Sequence, residues 1–368
     1  MQQSKTTMMN GKIRLQVMMA VMLAGTAAAK AQVKAEAQEA TAQAKAQEAV
    51  VNKQEAVVNK QEVVVNKQRH FRKTVPAGNY SGICWMGGDR YAVVDDKSPT
   101  AGFRPMTIVV DLLTGDILSV RADSLVTSHQ PNRDEEGICY VAQTNTVFVC
   151  GEKDGQIIEY TLDGQPTGRR LHTPEVFANT NTYDNRGFEA LTYNAVTRRF
   201  WTTTENTLRS DGQRPKAGRN IANRLRLQSF GDDLEPREQY WYVPDTLSSS
   251  GAKSKCTLGV SGMAALDDGR IVVLERQALR TGNGIGSSVR IRLYMVNPQG
   301  HQPGDTLEKQ LMTEFSTRIN LTRRNFANYE GICVGPQLVD GRQVLLLVAD
   351  SQNQHKGMLR DWFRSVVF

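Results

Sequence analysis

One short pattern occurs five times between residues 80 and 350. Each copy has a small residue, an apolar strand, a polar turn, a second apolar strand and then Asp or Glu, and the small residues stand 53 to 72 residues apart. The copies occupy residues 80–96, 134–152, 187–205, 261–275 and 329–350. A unit of this length cannot bury its apolar faces alone, so the recurrence predicts a radial β architecture in which the units pack around an axis.

Residues 75–368 are predicted to form one all-β domain. Strand-like segments continue after each acid, as in 156–164 after Glu152, which indicates four strands per unit. We expect a single β-propeller of five four-stranded blades, with the first and last units sharing a blade so that the ring has no open edge. A sixth, degenerate blade in one of the longer intervals is the alternative.

The first 31 residues have the form of a secretory signal peptide. Lys5, Lys12 and Arg14 precede an apolar stretch, and Ala29, Lys30 and Ala31 form a small-x-small cleavage site, so we expect cleavage after Ala31 and a secreted or periplasmic protein. No later apolar run reaches the roughly 20 residues of a spanning helix, so no transmembrane segment is predicted.

Residues 32–74 differ in composition from the rest of the chain. A seven-residue repeat, QEAVVNK, fills 47–67 with small changes. Its apolar residues are consecutive, whereas a coiled-coil seam needs them at both the a and d positions of each heptad. We interpret this segment as a helical or disordered stalk. Oligomerisation through the stalk is the less favoured alternative.

The charge balance argues against a nucleic-acid partner. Four of the bases behind the formal net charge of +7 lie in the predicted signal peptide, which holds no acid. The remaining chain has no long basic run of the kind that binds phosphate backbones.

The propeller topology predicts that the recurring acids converge. The first strand of a blade starts, and the second ends, on the same face, so acids at both places should meet at one mouth of the central channel. The acids that start the first strand are Glu136, Glu189 and Glu330, and Ser81 and Ser261 replace them in the other two units. The acids that end the second strand are Asp96, Glu152, Glu205, Glu275 and Asp350.

Crowded carboxylates repel one another and favour a divalent cation, and an all-oxygen donor set suits Ca²⁺ better than zinc. We therefore predict metal ligands among Asp96, Glu152, Glu205, Glu275 and Asp350, and catalytic carboxyls at Glu136, Glu189 and Glu330. Bases beside these acids are predicted to bind an anionic substrate: Lys153, Arg186 and Arg276.

Other chemistry has little support. The sequence has no G-x-S-x-G elbow, Walker loop or H-E-x-x-H motif. Five cysteines are present, and a hairpin turning at Thr144 and Asn145 would bring Cys139 and Cys150 opposite each other, at a spacing a disulfide can bridge. The alternative is that the cysteines are core thiols.

The segments DNRGFEALTYN, FWTTTEN and NYEGICVGPQLVDGRQVLLLVADSQNQ resemble the phytase-like family described by esterase-like activity of phytase. The resemblance covers most of residues 75–368 and implies a secreted or periplasmic propeller that binds calcium and acts on esters or phosphoesters. Ser81, Ser261 and Ala190 depart from the commoner Glu-Gly pair of the family.

Two functions are consistent with these residues. The first is an exported hydrolase of a small-molecule ester or phosphoester, assisted by a divalent cation in the channel mouth. The alternative is a non-catalytic propeller that binds a glycan, peptide or protein on the same face.

Overall fold

The computed structural model describes residues 62–184, 186–215, 223–247, 255–282, 284–319 and 325–368. The predicted signal peptide and most of the predicted stalk lie outside these ranges. The described chain is built almost wholly of β-strands, with three short 3-10 helices at Glu175–Phe177, Asn179–Asn181 and Asn353–Gly357. Among the described residues, no helix has the length and apolar character needed to cross a membrane.

Five antiparallel sheets follow one another along the chain, and each is one blade of a propeller. Blades 1 and 2 are formed by β2 (Tyr80–Trp85), β3 (Arg90–Asp95), β4 (Thr100–Val110) and β5 (Ile117–Ala122), and by β7 (Glu135–Val141), β8 (Thr146–Gly151), β9 (Gln156–Thr161) and β10 (Pro166–Arg170). An additional strand, β6 (Val126–Pro131), pairs with β4.

Blades 3 to 5 repeat this order. Their strands are β11 (Phe188–Asn194), β12 (Arg199–Thr204), β13 (Leu225–Phe230) and β14 (Pro236–Tyr242); β15 (Lys255–Ala265), β16 (Ile271–Arg280), β17 (Ser288–Val296) and β18 (Lys309–Arg318); and β19 (Asn328–Gln337), β20 (Gln343–Asp350) and β21 (Phe363–Val367). The five-blade prediction is confirmed, and no sixth blade is found in the described ranges.

The outer strand of blade 5 comes from the other end of the described chain. β1 (Val64–Val65) pairs antiparallel with β21, with Val64 opposite Val367 and Val65 opposite Val366. The ring is thus completed by residues that precede the first unit, and the predicted domain boundary at residue 75 lies after the first strand of the propeller. The pairing covers a strand edge that would otherwise be open.

The recurring small residues are required where the inner strands meet. A Cβ atom built on Gly82 would lie 2.4 Å from the carbonyl oxygen of Glu136 in the next blade, and one on Gly331 would lie 2.1 Å from that of Ser81. Adjacent inner strands therefore approach too closely for a side chain at these positions. The close contact also runs from blade 5 to blade 1, which confirms that the small residues are related around one axis.

Large apolar side chains fill the spaces between blades. Phe148 of blade 2 and Phe200 of blade 3 meet edge to face, with ring centroids 4.9 Å apart, and both are fully buried. Burying one such side chain contributes roughly 2–3 kcal/mol. The rigid packing around the channel sets the positions of the strand ends that form the site.

Cys139 and Cys150 do not face each other, so of the two alternatives left open by the sequence the core thiols are the correct one. The hairpin of β7 and β8 pairs Cys139 with Phe148 and Val141 with Thr146, so its centre lies one residue earlier than the prediction required. Asn145, with a φ of 54°, takes the left-handed conformation at the end of this turn. All five cysteines are free thiols, and only Cys256 is partly exposed.

Candidate active site at the mouth of the central channel

Every inner strand has a β-bulge immediately before its small residue. In blade 3, Phe188 pairs with Thr204 and Ala190 with Thr203, which leaves Glu189 without a partner on the second strand. A bulge re-aims the side chain of the extra residue, and bulges are frequent beside active sites. The same irregularity recurs in the other four blades. The bulged positions are Ser81, Glu136, Glu189, Ser261 and Glu330.

A second set of residues follows the strand partner of each bulge. In blade 3, Glu205 comes directly after Thr204. In blade 4, Glu275 pairs with Val260, so the residue equivalent to Glu205 is Arg276 and not Glu275. The equivalent positions in the five blades are Asp96, Glu152, Glu205, Arg276 and Asp350.

Glu275 lies away from the channel mouth, and its predicted place among the converging acids is wrong. Its side chain is buried and accepts hydrogen bonds from the Tyr242 hydroxyl at 2.5 Å, the Asp245 N–H at 3.0 Å and the Lys309 ammonium at 2.6 Å. Neighbouring residues of a strand point to opposite faces, so Arg276 takes the mouth-facing position. The sequence concealed this because β16 continues beyond the acid to Arg280.

Arg276 is an internal cation among the carboxylates of the mouth. Its guanidinium is 11% exposed and lies 3.1 Å from Glu205 and 3.7 Å from Glu189, and it also pairs with Glu330. Burial by itself lowers the pKa of Arg276, but these three carboxylates raise it further than burial lowers it. Arg186 pairs with Glu205 as well. The side of the mouth formed by blades 3 and 4 therefore has its own counter-charge.

Burial and mutual repulsion make two of the bulged carboxyl groups weak acids. Desolvation, with the charges of Asp96 and Glu330, raises the pKa of Glu136 well above its usual value, although the Ser81 hydroxyl donates to it at 2.6 Å. Desolvation likewise raises the pKa of Glu189 well above the usual range, and the carboxylate of Glu136 adds to the effect. Glu136 lies beside Asp96, and Glu189 and Glu330 share Arg276, so these acids converge as the topology predicted.

Three further carboxyl groups titrate near neutral pH. Burial raises the pKa of Glu152 to about 7, although the Gly187 N–H donates to it at 2.8 Å. Burial also raises the pKa of Glu330 to about 8 in spite of Arg276, and that of Asp350 to about 6. Seven of the eight predicted acids thus meet at the mouth, and Glu275 is the exception.

The acid-rich side of the mouth belongs to blades 1 and 2. One oxygen from each of Asp96, Asp134 and Glu136, which we call the acidic triad, lies within 4.8 Å of the others. The Lys97 ammonium bridges Asp96 at 2.8 Å and Asp134 at 2.5 Å, and Lys153 is 3.7 Å from Asp134. Asp134 was not among the predicted ligands. Its only sequence signal is its place in the run of three acids at 134–136.

The predicted anion-binding bases divide into two kinds. Arg186 and Arg276 are largely buried and are held by carboxylates of the mouth. Lys153, by contrast, has a side chain that is 58% exposed, and Lys97 is 53% exposed. Of these four bases, Lys97 and Lys153 face solvent, whereas Arg186 and Arg276 do not.

Comparison with protein families gives one match over most of the propeller. The model described as Phytase-like, esterase-like activity of phytase, matches residues 75–352. A search of curated proteins found no match.

The solved structures that match the chain are distant from it in sequence and have low TM-scores. A chain of a nidogen/laminin complex is 12% identical with a TM-score of 0.39, over 83% of this chain and 98% of that one. A luciferin-regenerating enzyme is 12% identical with a TM-score of 0.38, over 83% and 95%. A protein of unknown function from Bacteroides thetaiotaomicron is 11% identical with a TM-score of 0.38, over 83% and 76%.

Proposed function

The chain belongs to the phytase-like family described by esterase-like activity of phytase, and from this premise we propose that it hydrolyses an ester or phosphoester at the channel mouth with the help of a divalent cation. The observation that carries the proposal is the uneven charge of the mouth. Arg186 and Arg276 neutralise the side formed by blades 3 and 4. Among the described residues, the only cations that pair with the acidic triad of blades 1 and 2 are two solvent-exposed lysines.

The acidic triad fits a hard divalent cation. Its donor atoms are all carboxylate oxygens, which Ca²⁺ prefers, and two oxygens on opposite sides of a Ca²⁺ ion at about 2.4 Å lie about 4.8 Å apart. The triad oxygens lie within that spacing. One oxygen of Asp96 is also buried and has no hydrogen-bond partner among the described residues, so it has an unused acceptor capacity.

Lys97 competes with a cation for the same oxygens. Its ammonium occupies the position between Asp96 and Asp134, but more than half of its side chain is exposed. A long exposed side chain can move into solvent at small cost when a divalent charge replaces it. Lys97 and Lys153 would then be free to contact an anionic group of the substrate at the rim.

A bound cation would supply Lewis-acid polarisation of a carbonyl or phosphoryl oxygen. The chain itself supplies proton donors and acceptors. Glu330 pairs with Arg276 and accepts a hydrogen bond from the Asn328 side-chain amide at 2.8 Å; its pKa is raised to about 8, and that of Glu152 to about 7. Groups with pKa values near the working pH are effective general acids and bases. Of the predicted catalytic trio, Glu136 would bind the cation, and the raised pKa of Glu189 favours its protonated form.

Hydrolysis of p-nitrophenyl phosphate and p-nitrophenyl acetate, with and without a chelator, tests the activity. We expect turnover of one of them, its loss with chelator and its recovery on adding Ca²⁺. Absence of turnover for both, in a protein that binds calcium, would contradict the enzymatic proposal.

The cation site has a separate test. Calcium at 100 times its dissociation constant should stabilise the wild type by about 2.7 kcal/mol, and we expect Asp134→Asn/Glu136→Gln to lose most of the thermal shift. Asp340→Asn/Glu314→Gln, which changes two exposed acids elsewhere, is the matched control and should keep it. Lys97→Met should bind calcium more tightly than the wild type, because the competing ammonium is gone. Equal calcium shifts in all four proteins would refute the site.

A binding module is the second candidate, because one cleft lies away from the channel mouth. A cleft of about 750 Å³ at the outer part of blades 2 and 3 includes Gln156, Arg170 and His172. If this alternative holds, replacing Arg170 by Ala should weaken binding of a glycan or peptide there, and neither the wild type nor the variant should hydrolyse the two esters.

Export through the predicted signal peptide is also part of the proposal. N-terminal sequencing of protein recovered from the periplasm or medium should start at Gln32. Recovery of an intact N-terminus in the cytoplasm would contradict it.

A further inference from the structure

Residues 64–68 lie along the edge of β21. We call the residues that contact this pentapeptide the strand slot: Ser365, Val366 and Val367 of β21, with Thr114, Asn325 and Tyr329. Val64 and Val65 pair with Val367 and Val366, and the Asn66 N–H donates to the Ser365 carbonyl at 3.0 Å. The two valines also pack into different apolar clusters on opposite faces of blade 5. The slot thus recognises an extended backbone with two apolar side chains.

Two polar side chains of the pentapeptide make specific contacts. The Asn66 amide donates to the Thr114 carbonyl at 3.2 Å and to the Ser365 hydroxyl at 3.1 Å. The Gln68 amide donates to the Asn325 carbonyl at 2.9 Å and accepts from the Tyr329 hydroxyl at 3.3 Å. These bonds fix the register of the strand, because a shift by one residue would exchange the two faces and lose both amides.

The docked pentapeptide occurs three times in the chain. Val-Val-Asn-Lys-Gln stands at 64–68 and, without any change, at 57–61 and 50–54. Each residue that contacts the slot is therefore present in all three copies at the same spacing. The preceding residue differs, since Val63, which is partly buried beside the slot, is replaced by Ala56 and Ala49.

We propose that the strand slot accepts the copies at 57–61 and 50–54 of the same chain in place of 64–68, so that the outer strand of blade 5 is exchangeable within one molecule. Because their residues are identical to 64–68, either copy would make the same contacts in the slot. A shift by one copy adds seven residues to the connection with Arg69, and the cost of closing a flexible loop grows slowly with its length.

Two features make residues 64–68 bind the slot better than the other two copies. A third makes a copy from the same chain bind in preference to one from a second molecule. Val63 adds apolar burial that alanine cannot match, and the short connection of the third copy lets Arg69 exchange two backbone hydrogen bonds with Phe363, each 2.8 Å long. Copies on the same chain are held near the slot at a high effective concentration, which a second molecule lacks in dilute solution. On this proposal the first two copies would serve as spare outer strands.

Three full-length variants test the exchange through thermal unfolding. Val64→Asp/Val65→Asp disables the third copy, Val50→Asp/Val51→Asp/Val57→Asp/Val58→Asp disables the first two, and the sixfold variant disables all three. We expect the fourfold variant to match the wild type, the double variant to lose a few degrees, and the sixfold variant to lose clearly more. Equal losses in the double and sixfold variants would overturn the proposal.

Cross-linking tests the same point without charged substitutions. Val65 faces Val366 across antiparallel strands, at a spacing that a disulfide can bridge, and Val58 is its equivalent in the second copy. We expect Val58→Cys/Val366→Cys to form an intrachain disulfide under mild oxidation, and Val65→Cys/Val366→Cys to form it more fully. Val58→Cys/Val196→Cys, which joins the second copy to an exposed site on blade 3, is the control and should cross-link far less. No bond above this control, or a bond between two chains, would refute intramolecular exchange.

Discussion

Replacing Arg276 by Met should destabilise the protein in a strongly pH-dependent way. Methionine keeps an unbranched stem but removes the cation that contacts Glu205, Glu189 and Glu330. Removing one partner of a buried ion pair costs about 3–5 kcal/mol, because the remaining charge is left in a medium of low polarity. We expect a loss of that size in the free energy of unfolding at pH 8.

The loss should be smaller at pH 5. Burial raises the pKa of Glu330 to about 8, so this group holds a proton at pH 5, and the raised pKa of Glu189 acts in the same direction; Arg276 therefore has fewer ionised partners there. The cost should then approach that of a hydrogen bond to a charged group, about 1.5–3 kcal/mol. The sign follows from linkage, because the variant binds more protons when folded and its stability falls more steeply as the pH rises.

Urea unfolding at pH 5 and pH 8 measures both values, with Arg292→Met as the control. Arg292 is 13% exposed and lies 2.9 Å from Asp245 and 2.6 Å from Glu314. Burial by itself raises the pKa of Asp245, but hydrogen bonds from Lys309 and Tyr294 outweigh it and lower that pKa, so this control should cost the same at both pH values. A loss below about 1 kcal/mol at pH 8 for Arg276→Met, or equal losses at both pH values, would refute the reasoning.

Three further outcomes follow from the same structure. In chelator-treated protein, the free energy of unfolding should fall between pH 5 and pH 8. The fall should be about 1.4 kcal/mol per pH unit for each carboxyl group that is protonated only in the folded state. A rise over this range would contradict the raised pKa values of Glu152 and Glu330. Gly331→Ala should cost about 1–3 kcal/mol because its Cβ would meet a backbone oxygen, whereas Gly282→Ala, with open space around it, should stay within about 0.5 kcal/mol in urea titrations. Iodoacetamide should label only Cys256 in the native protein, with or without prior reductant, and a second label found by mass spectrometry would contradict the burial of the other thiols.

The sequence by itself determined the blade count and the convergence of the acids. Both depend on a periodic feature, the small residue flanked by two apolar strands and a carboxylate, and a periodic feature can be read without knowing any contact. Close packing of the inner strands explains why Gly82 and Gly331 recur, and the strand directions explain why Glu136 and Glu330 share one face.

Only the tertiary structure decided register and charge pairing. The pairing register of β15 and β16 has no clear sequence signal, and it places Glu275 opposite Val260, which brings Arg276 into the mouth and leaves Glu275 out of it. A turn centred one residue earlier separates Cys139 from Cys150. The docking of Val64 and Val65 on β21 joins residues about 300 positions apart, and an apolar trio in a polar repeat does not reveal its partner. Register and long-range pairing depend on where other strands lie, so local composition could not supply them.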